Sequence, residues 1–159
     1  MIWSGDRVAR YVEISDESQI QPNGVDLSVG EVYEFKSGGL LGKKRELPEY
    51  RLIEPGNNGI YMLSPGPYLV RYKEVVRIPS NAIGLVFPRS SLQRIGATIY
   101  TSVWDSGYEG RGVGLMVVFN PNGIRLERGA KICQIIFIDA KSSSLYSGVY
   151  KYEGVKIRT

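Results

Sequence analysis

Apolar and polar residues alternate in short runs along most of this chain, and turn-forming residues separate the runs, the pattern of half-buried strands. Glu31-Val32-Tyr33-Glu34-Phe35 alternates ahead of the turn Ser37-Gly38-Gly39. Arg51-Leu52-Ile53 and Ile60-Tyr61-Met62-Leu63 flank Pro55-Gly56-Asn57-Asn58-Gly59, and Tyr68 to Tyr72 follows Pro65-Gly66-Pro67. Further strands are predicted over Ile83 to Phe87, Thr98 to Trp104, Val113 to Phe119, Ile124 to Leu126 and Lys131 to Ile138. Helical signals are few. Ser4 can cap a short helix from about Gly5 to Val12, with Asp6 in its first turn. This spacing predicts an all-β sandwich or distorted jelly-roll barrel with one or two short helices, not alternating βαβ units. The stretch from Lys141 to Thr159 is rich in Ser, Tyr and Gly and has little apolar periodicity; it reads as a disordered end or an arm that orders on a neighbour or ligand.

The 159 residues suit one domain with a real core. With 43% apolar and 23% charged residues the composition is that of a soluble globular protein. The apolar runs are too short to span a bilayer and no signal peptide is seen, so a cytoplasmic protein without membrane contact is expected. The chain has no histidine and one cysteine, Cys133. That removes Ser-His and Cys-His mechanisms, disulfides and zinc clusters. Carboxylates, Lys, Tyr, hydroxyls, backbone dipoles or a hard metal ion remain. The net charge of +4 is scattered except at Lys43-Lys44-Arg45, which reads as a solvated loop. A nucleic-acid partner is not expected, although a small polyanion is compatible.

Four segments carry candidate chemistry. Pro88-Arg89-Ser90-Ser91-Leu92 leaves a strand for helix-compatible sequence, offering an arginine, two hydroxyls and exposed backbone donors to phosphate. An ordinary serine cap beside a surface arginine would look the same. Asp105-Ser106-Gly107-Tyr108-Glu109-Gly110 is a polar turn whose Asp105 carboxylate lies between the aromatic rings of Trp104 and Tyr108. It can be a water-activating base beside a sugar- or base-stacking surface, or only a turn. Asp26, two residues after Gly24, can help hold a hydrated magnesium ion or make an Asx-turn. Gln134 interrupts an apolar strand, facing either a ligand or backbone.

Taken in order, Asn23-Gly24-Val25-Asp26-Leu27, Pro88 to Leu92, Asp105 to Gly110 and Gly129 to Gln134 resemble the trimeric dUTP pyrophosphatase and dCTP deaminase superfamily. The tail segments Tyr146-Ser147-Gly148 and Tyr152-Glu153-Gly154 match too, and the style is nearest to archaeal-type dUTP pyrophosphatases. The resemblance implies a dUTPase-like barrel that binds dUTP and releases dUMP and pyrophosphate, and a homotrimer whose tail, 141–159, closes over the nucleotide. It gives Asp105 the attacking water; Arg89, Ser90, Ser91 and Gln134 the phosphates; Tyr108 the deoxyribose; and backbone around Val103 and Trp104 the uracil edge. Mg2+ would be chelated by the triphosphate, with Asp26 helping through water. In the tail, Tyr146 is expected at the site, Tyr152 stands where dUTPases place a phenylalanine, and Lys151 would meet a phosphate. Deaminase members instead use a glutamate on the strand after the Asp105 turn. Here that position is Met116 or Val117, and neither can exchange protons. A deaminase or bifunctional enzyme with another base, or a nucleotide-binding relative without catalysis, are the alternatives.

Overall fold

A computed structural model describes residues 1–155; the last four positions of the expected arm, 156–159, lie outside the described residues. Two short helices, α1 (Gly5–Ala9) and α2 (Ser90–Arg94), interrupt fourteen strands. The strands are β1 (Ile20–Gln21), β2 (Gly24–Phe35), β3 (Leu40–Leu41), β4 (Arg45–Glu46), β5 (Tyr50–Ile53), β6 (Ile60–Leu63) and β7 (Gly66–Tyr72). They continue as β8 (Val76–Arg77), β9 (Ala82–Pro88), β10 (Ala97–Tyr100), β11 (Glu109–Gly110), β12 (Val113–Val118), β13 (Ile124–Glu127) and β14 (Lys131–Asp139). The main sheet runs β10-β12-β7-β2-β14-β9 and curls into a nearly closed all-β barrel; β11 pairs with β8, β13 with β6, and β3 with β4.

The 12-residue β2 organises the barrel. Its first half pairs with β14 and its second half with β7 and β5. Register shifts between Val29 and Glu31 as the strand passes from one partner to the next. Gly30 sits at that shift, where a Cβ would lie 2.6 Å from the Arg111 guanidinium and 2.9 Å from the Arg71 carbonyl. Val25, Leu27, Val29 and Val32 are fully buried with Tyr61, Tyr72, Trp3 and Phe137, and this apolar mass holds the barrel closed.

Several boundaries differ from the sequence-based expectation. Helix α1 stops at Ala9 instead of Val12, and the Ser4 side chain makes no capping bond. Val12 pairs instead with Val76, a tertiary bridge that outweighs local propensity. The strand expected over Thr98 to Trp104 ends at Tyr100, after which Trp104 makes an isolated bridge to Gly84. Lys43-Lys44-Arg45 belongs to the β3–β4 hairpin, whose Arg45 guanidinium donates to the Tyr150 hydroxyl at 3.0 Å.

Candidate active site

The candidate residues gather in two places. The first lies across three neighbouring strands. Gln134 on β14 is directly opposite Asp26 on β2 and Phe87 on β9, and opposed residues share a sheet face. Arg89 follows two residues after Phe87, at the cap position of α2, with its backbone N–H on the Ile132 carbonyl at 2.8 Å. Its guanidinium reaches back to Asp26, Nη1 to Oδ2 at 3.2 Å. Ser90 and Ser91 open α2 with exposed side chains. Five residues make too short a helix for a strong dipole, so side chains must supply most of any pull on an anion. The Gln134 amide donates to the Asn23 carbonyl at 2.9 Å.

The second place surrounds Asp105. An aromatic cavity of about 460 Å3 is walled by Val103, Trp104, Asp105, Tyr108, Tyr146 and Glu153, with Arg71 at its edge. A polar cleft of about 540 Å3 adjoins it, lined by Asp105, Lys141 and Ser142 to Ser144. The exposed Asp105 carboxylate stands on the boundary between them. The turn that carries it is stapled to the tail: the Tyr146 N–H donates to the Ser106 carbonyl at 2.7 Å, and the Ser106 and Ser142 hydroxyls meet at 2.6 Å. Gly107 has φ +83°, and a Cβ there would press on Leu145 at 3.0 Å, so glycine serves both the turn and the close approach.

Tyr108 is covered, not open as a stacking face would be. Trp104 and Tyr146 pack edge-on against it, with ring centroids at 5.1 and 5.6 Å, and it is only 7% exposed. Its hydroxyl donates to Glu153 Oε1 at 3.0 Å, and burial next to that carboxylate drives the phenol far above its ordinary range. The tail docks on its own chain: the Tyr152 N–H donates to the Glu109 carbonyl at 2.6 Å and the Arg111 N–H to the Glu153 carbonyl at 2.9 Å. Lys151 and Tyr152 do not line the aromatic cavity; Lys151 Nζ turns to the Tyr146 carbonyl at 3.3 Å, and Tyr152 holds a left-handed φ of 65°. Glu153 takes the position facing the cavity. Burial raises its pKa, against the lowering pull of the Tyr108 hydroxyl and of Arg71. Sequence reasoning missed Glu153 and Arg71, although Glu153 lies inside a matched tail segment and Arg71 is the one cation in the apolar run Tyr68 to Tyr72.

The two places are well separated within one chain. Trp104 and Gly84 exchange both backbone hydrogen bonds, at 2.8 and 2.9 Å. Arg89 lies five residues further along the β9 direction, roughly 16 Å away at strand rise. Nor does Asp26 suit a water-mediated magnesium contact. Its Oδ2 is taken by Arg89 and by Gln21 Nε2 at 2.9 Å, and its Oδ1 is buried without a partner. Among the described residues no three acidic, His or Cys side chains gather as a metal cage.

A model of dCTP deaminase-like proteins matches residues 3–140. The chain belongs to that family. Among its relatives is a protein of Aeropyrum pernix named "Probable deoxyuridine 5'-triphosphate nucleotidohydrolase", 43% identical over 86% of this chain and 87% of the relative. A Methanocaldococcus jannaschii protein named deoxyuridine 5'-triphosphate nucleotidohydrolase is 36% identical over 95% of this chain and 99% of its own. By fold, this dCTP deaminase-like chain is similar to the dCTP deaminase of Agrobacterium tumefaciens, with TM-score 0.67 and 18% identity. That match covers 87% of this chain and 48% of the other, so this chain spans about half of that protein. The dUTPase of Staphylococcus bacteriophage 80alpha gives TM-score 0.51 at 16% identity, covering 94% of this chain and 95% of the phage protein. Within this family member, strand β12 carries no carboxylate. Met116 is wholly buried in the core, and neither it nor Val117 lines the cavity beside Asp105.

Proposed function

We propose that this chain is a dUTP pyrophosphatase, hydrolysing dUTP to dUMP and pyrophosphate. One observation carries the reading: an exposed carboxylate, Asp105, stands where an aromatic cavity meets a polar cleft, next to a strand without a second proton carrier. A nucleotide laid across that boundary puts its base and sugar among rings and its phosphates among polar groups. Asp105 then orients a water and accepts its proton as the oxygen attacks the α-phosphorus. Arg89, Ser90, Ser91 and Gln134 grip the phosphates and steady the leaving pyrophosphate, so positioning and charge carry most of the catalysis. Magnesium belongs to the substrate in this reading, carried in on the triphosphate.

The separation of about 16 Å between Trp104 and Arg89 supports a shared site. A homotrimer supplies it, with Asp105 from one copy facing Arg89, Ser90 and Ser91 from a neighbouring copy. No described helix is long and apolar enough to cross a membrane, and we place the enzyme in the cytoplasm with its nucleotide pool.

The test is to incubate the purified protein with dUTP and with dCTP in magnesium and separate the products. dUMP and pyrophosphate should form from dUTP, with dCTP unchanged. Ammonia released from dCTP would establish a deaminase instead, and binding of dUTP without turnover would establish a nucleotide-binding relative.

A further inference from the structure

We propose that Asp26 is a positioning residue that aims the Arg89 guanidinium at the phosphates, and that it is not a ligand to magnesium. The inference rests on the reading of Arg89 as a phosphate anchor.

The pair is asymmetric. The Asp26 side chain is 1% exposed and that of Arg89 35% exposed. The acid is therefore a brace set into the barrel wall, and part of the cation is presented outward. One guanidinium nitrogen, Nη1, is engaged by the brace, which leaves donors of the planar fork for an incoming anion. An unbraced arginine samples many rotamers and loses that freedom on binding; a braced one has lost it already.

The brace is itself held. Gln21 Nε2 donates to the same Oδ2 at 2.9 Å, fixing the carboxylate rotamer. Gln21 follows a 3-10 turn, Glu17–Gln19, whose Gln19 amide donates to the Asp26 carbonyl at 2.9 Å and to the buried Glu74 carboxylate at 2.8 Å. Three polar side chains, Gln19, Gln21 and Glu74, thus hold the start of β2, on which Asp26 stands. A hydrated magnesium ion presents water to an acceptor, and neither Asp26 oxygen faces solvent. To reach such an ion the carboxylate would have to leave Arg89.

Stability does not account for the arrangement. Burial raises the Asp26 pKa more than Arg89 lowers it, so the fold gains little from ionising this group. The return is geometric.

The experiment measures affinity for α,β-imido-dUTP, both in magnesium and in EDTA, for the native protein, Asp26→Asn, Arg89→Gln and the double variant. Asp26→Asn should weaken binding roughly tenfold in both media, and the double variant should bind no worse than Arg89→Gln alone. Its melting temperature should hold or rise, which a merely structural role would not give. A loss confined to magnesium, or losses that add, would overturn the inference. Should Asp26→Asn fail to fold, Gln21→Leu should show the same pattern at smaller amplitude, and unchanged binding there would also overturn it. Unchanged affinity in Arg89→Gln sinks the phosphate anchor and this inference together. A weakened Arg89→Gln beside an unaltered Asp26→Asn sinks this inference alone.

Discussion

Gly112→Ala tests whether the wall of the aromatic cavity is as tightly set as its geometry indicates. A Cβ at Gly112 would lie 2.6 Å from Trp104 Cη2 and 2.7 Å from Cζ2, about 1 Å inside ordinary carbon contact. The indole has little room to retreat. Tyr72 and Tyr108 pack on it at 6.0 and 5.1 Å, and its backbone is tied to Gly84 from both sides. Gly112 does not hold a left-handed φ, so the penalty is steric, not torsional. Overpacking against a rigid ring costs about 2 kcal/mol. In a domain of this size that lowers the melting temperature by about 4–8 °C. Because Trp104 walls the cavity beside Asp105, kcat/KM for dUTP should fall as well, as small misplacements of a binding wall do. Differential scanning calorimetry and a pyrophosphate-release assay read the two effects. Gly38→Ala is the control: nothing lies within 4 Å of its Cβ, and it should be neutral or stabilising by up to about 1 kcal/mol. If Gly112→Ala melts within about one degree of the native protein, the steric reasoning fails.

Other outcomes follow from the same geometry. Asp105→Asn should abolish pyrophosphate release while leaving affinity for α,β-imido-dUTP within a few-fold; retained turnover would remove Asp105 as the base. Co-refolding equal amounts of Asp105→Asn and Arg89→Gln chains, assayed at dUTP too dilute for Arg89→Gln alone to turn over, should recover about one quarter of native activity, because one subunit pairing in four restores both residues at a shared site. No recovery would place the whole site within one chain. Glu153 has a raised folded pKa, so its contribution to tail docking is complete below the ordinary glutamate range and is lost as pH rises through the raised value. Protection of the Lys151 bond from trypsin, corrected with an unstructured peptide, should therefore decline with rising pH in the native protein and stay level in Glu153→Gln. A level native profile would refute this.

Local pattern carried the strands well, because alternation reports which face is buried. Ile60–Leu63, Ile83 to Phe87 and Lys131 to Ile138 fall close to their observed bounds. It failed where tertiary contacts decide. Val25-Asp26-Leu27-Ser28-Val29 alternates apolar and polar residues, which implies a solvated face, yet Asp26 and Ser28 are buried as well because both faces of this part of β2 are covered. At the site, Asp105 and Arg89 were legible as residue types able to do chemistry. Their distance apart was not, since it depends on where Trp104 crosses Gly84. Glu153 was invisible for another reason: a carboxylate in a Tyr- and Gly-rich tail looks solvated until its partner, Tyr108, is placed against it.

Strand β2 imposes a rule on how this chain can change length. Asp26 near its start braces Arg89, while Glu31 beyond the bend binds Arg71 at 3.4 Å and Arg111 at 3.2 Å, under the cavity that holds Asp105. A deletion of a single residue between Asp26 and Glu31 would turn one of these carboxylates to the opposite sheet face, whichever half kept its register. The β3–β4 hairpin joins no such pair of anchors, and additions there should be absorbed at little cost.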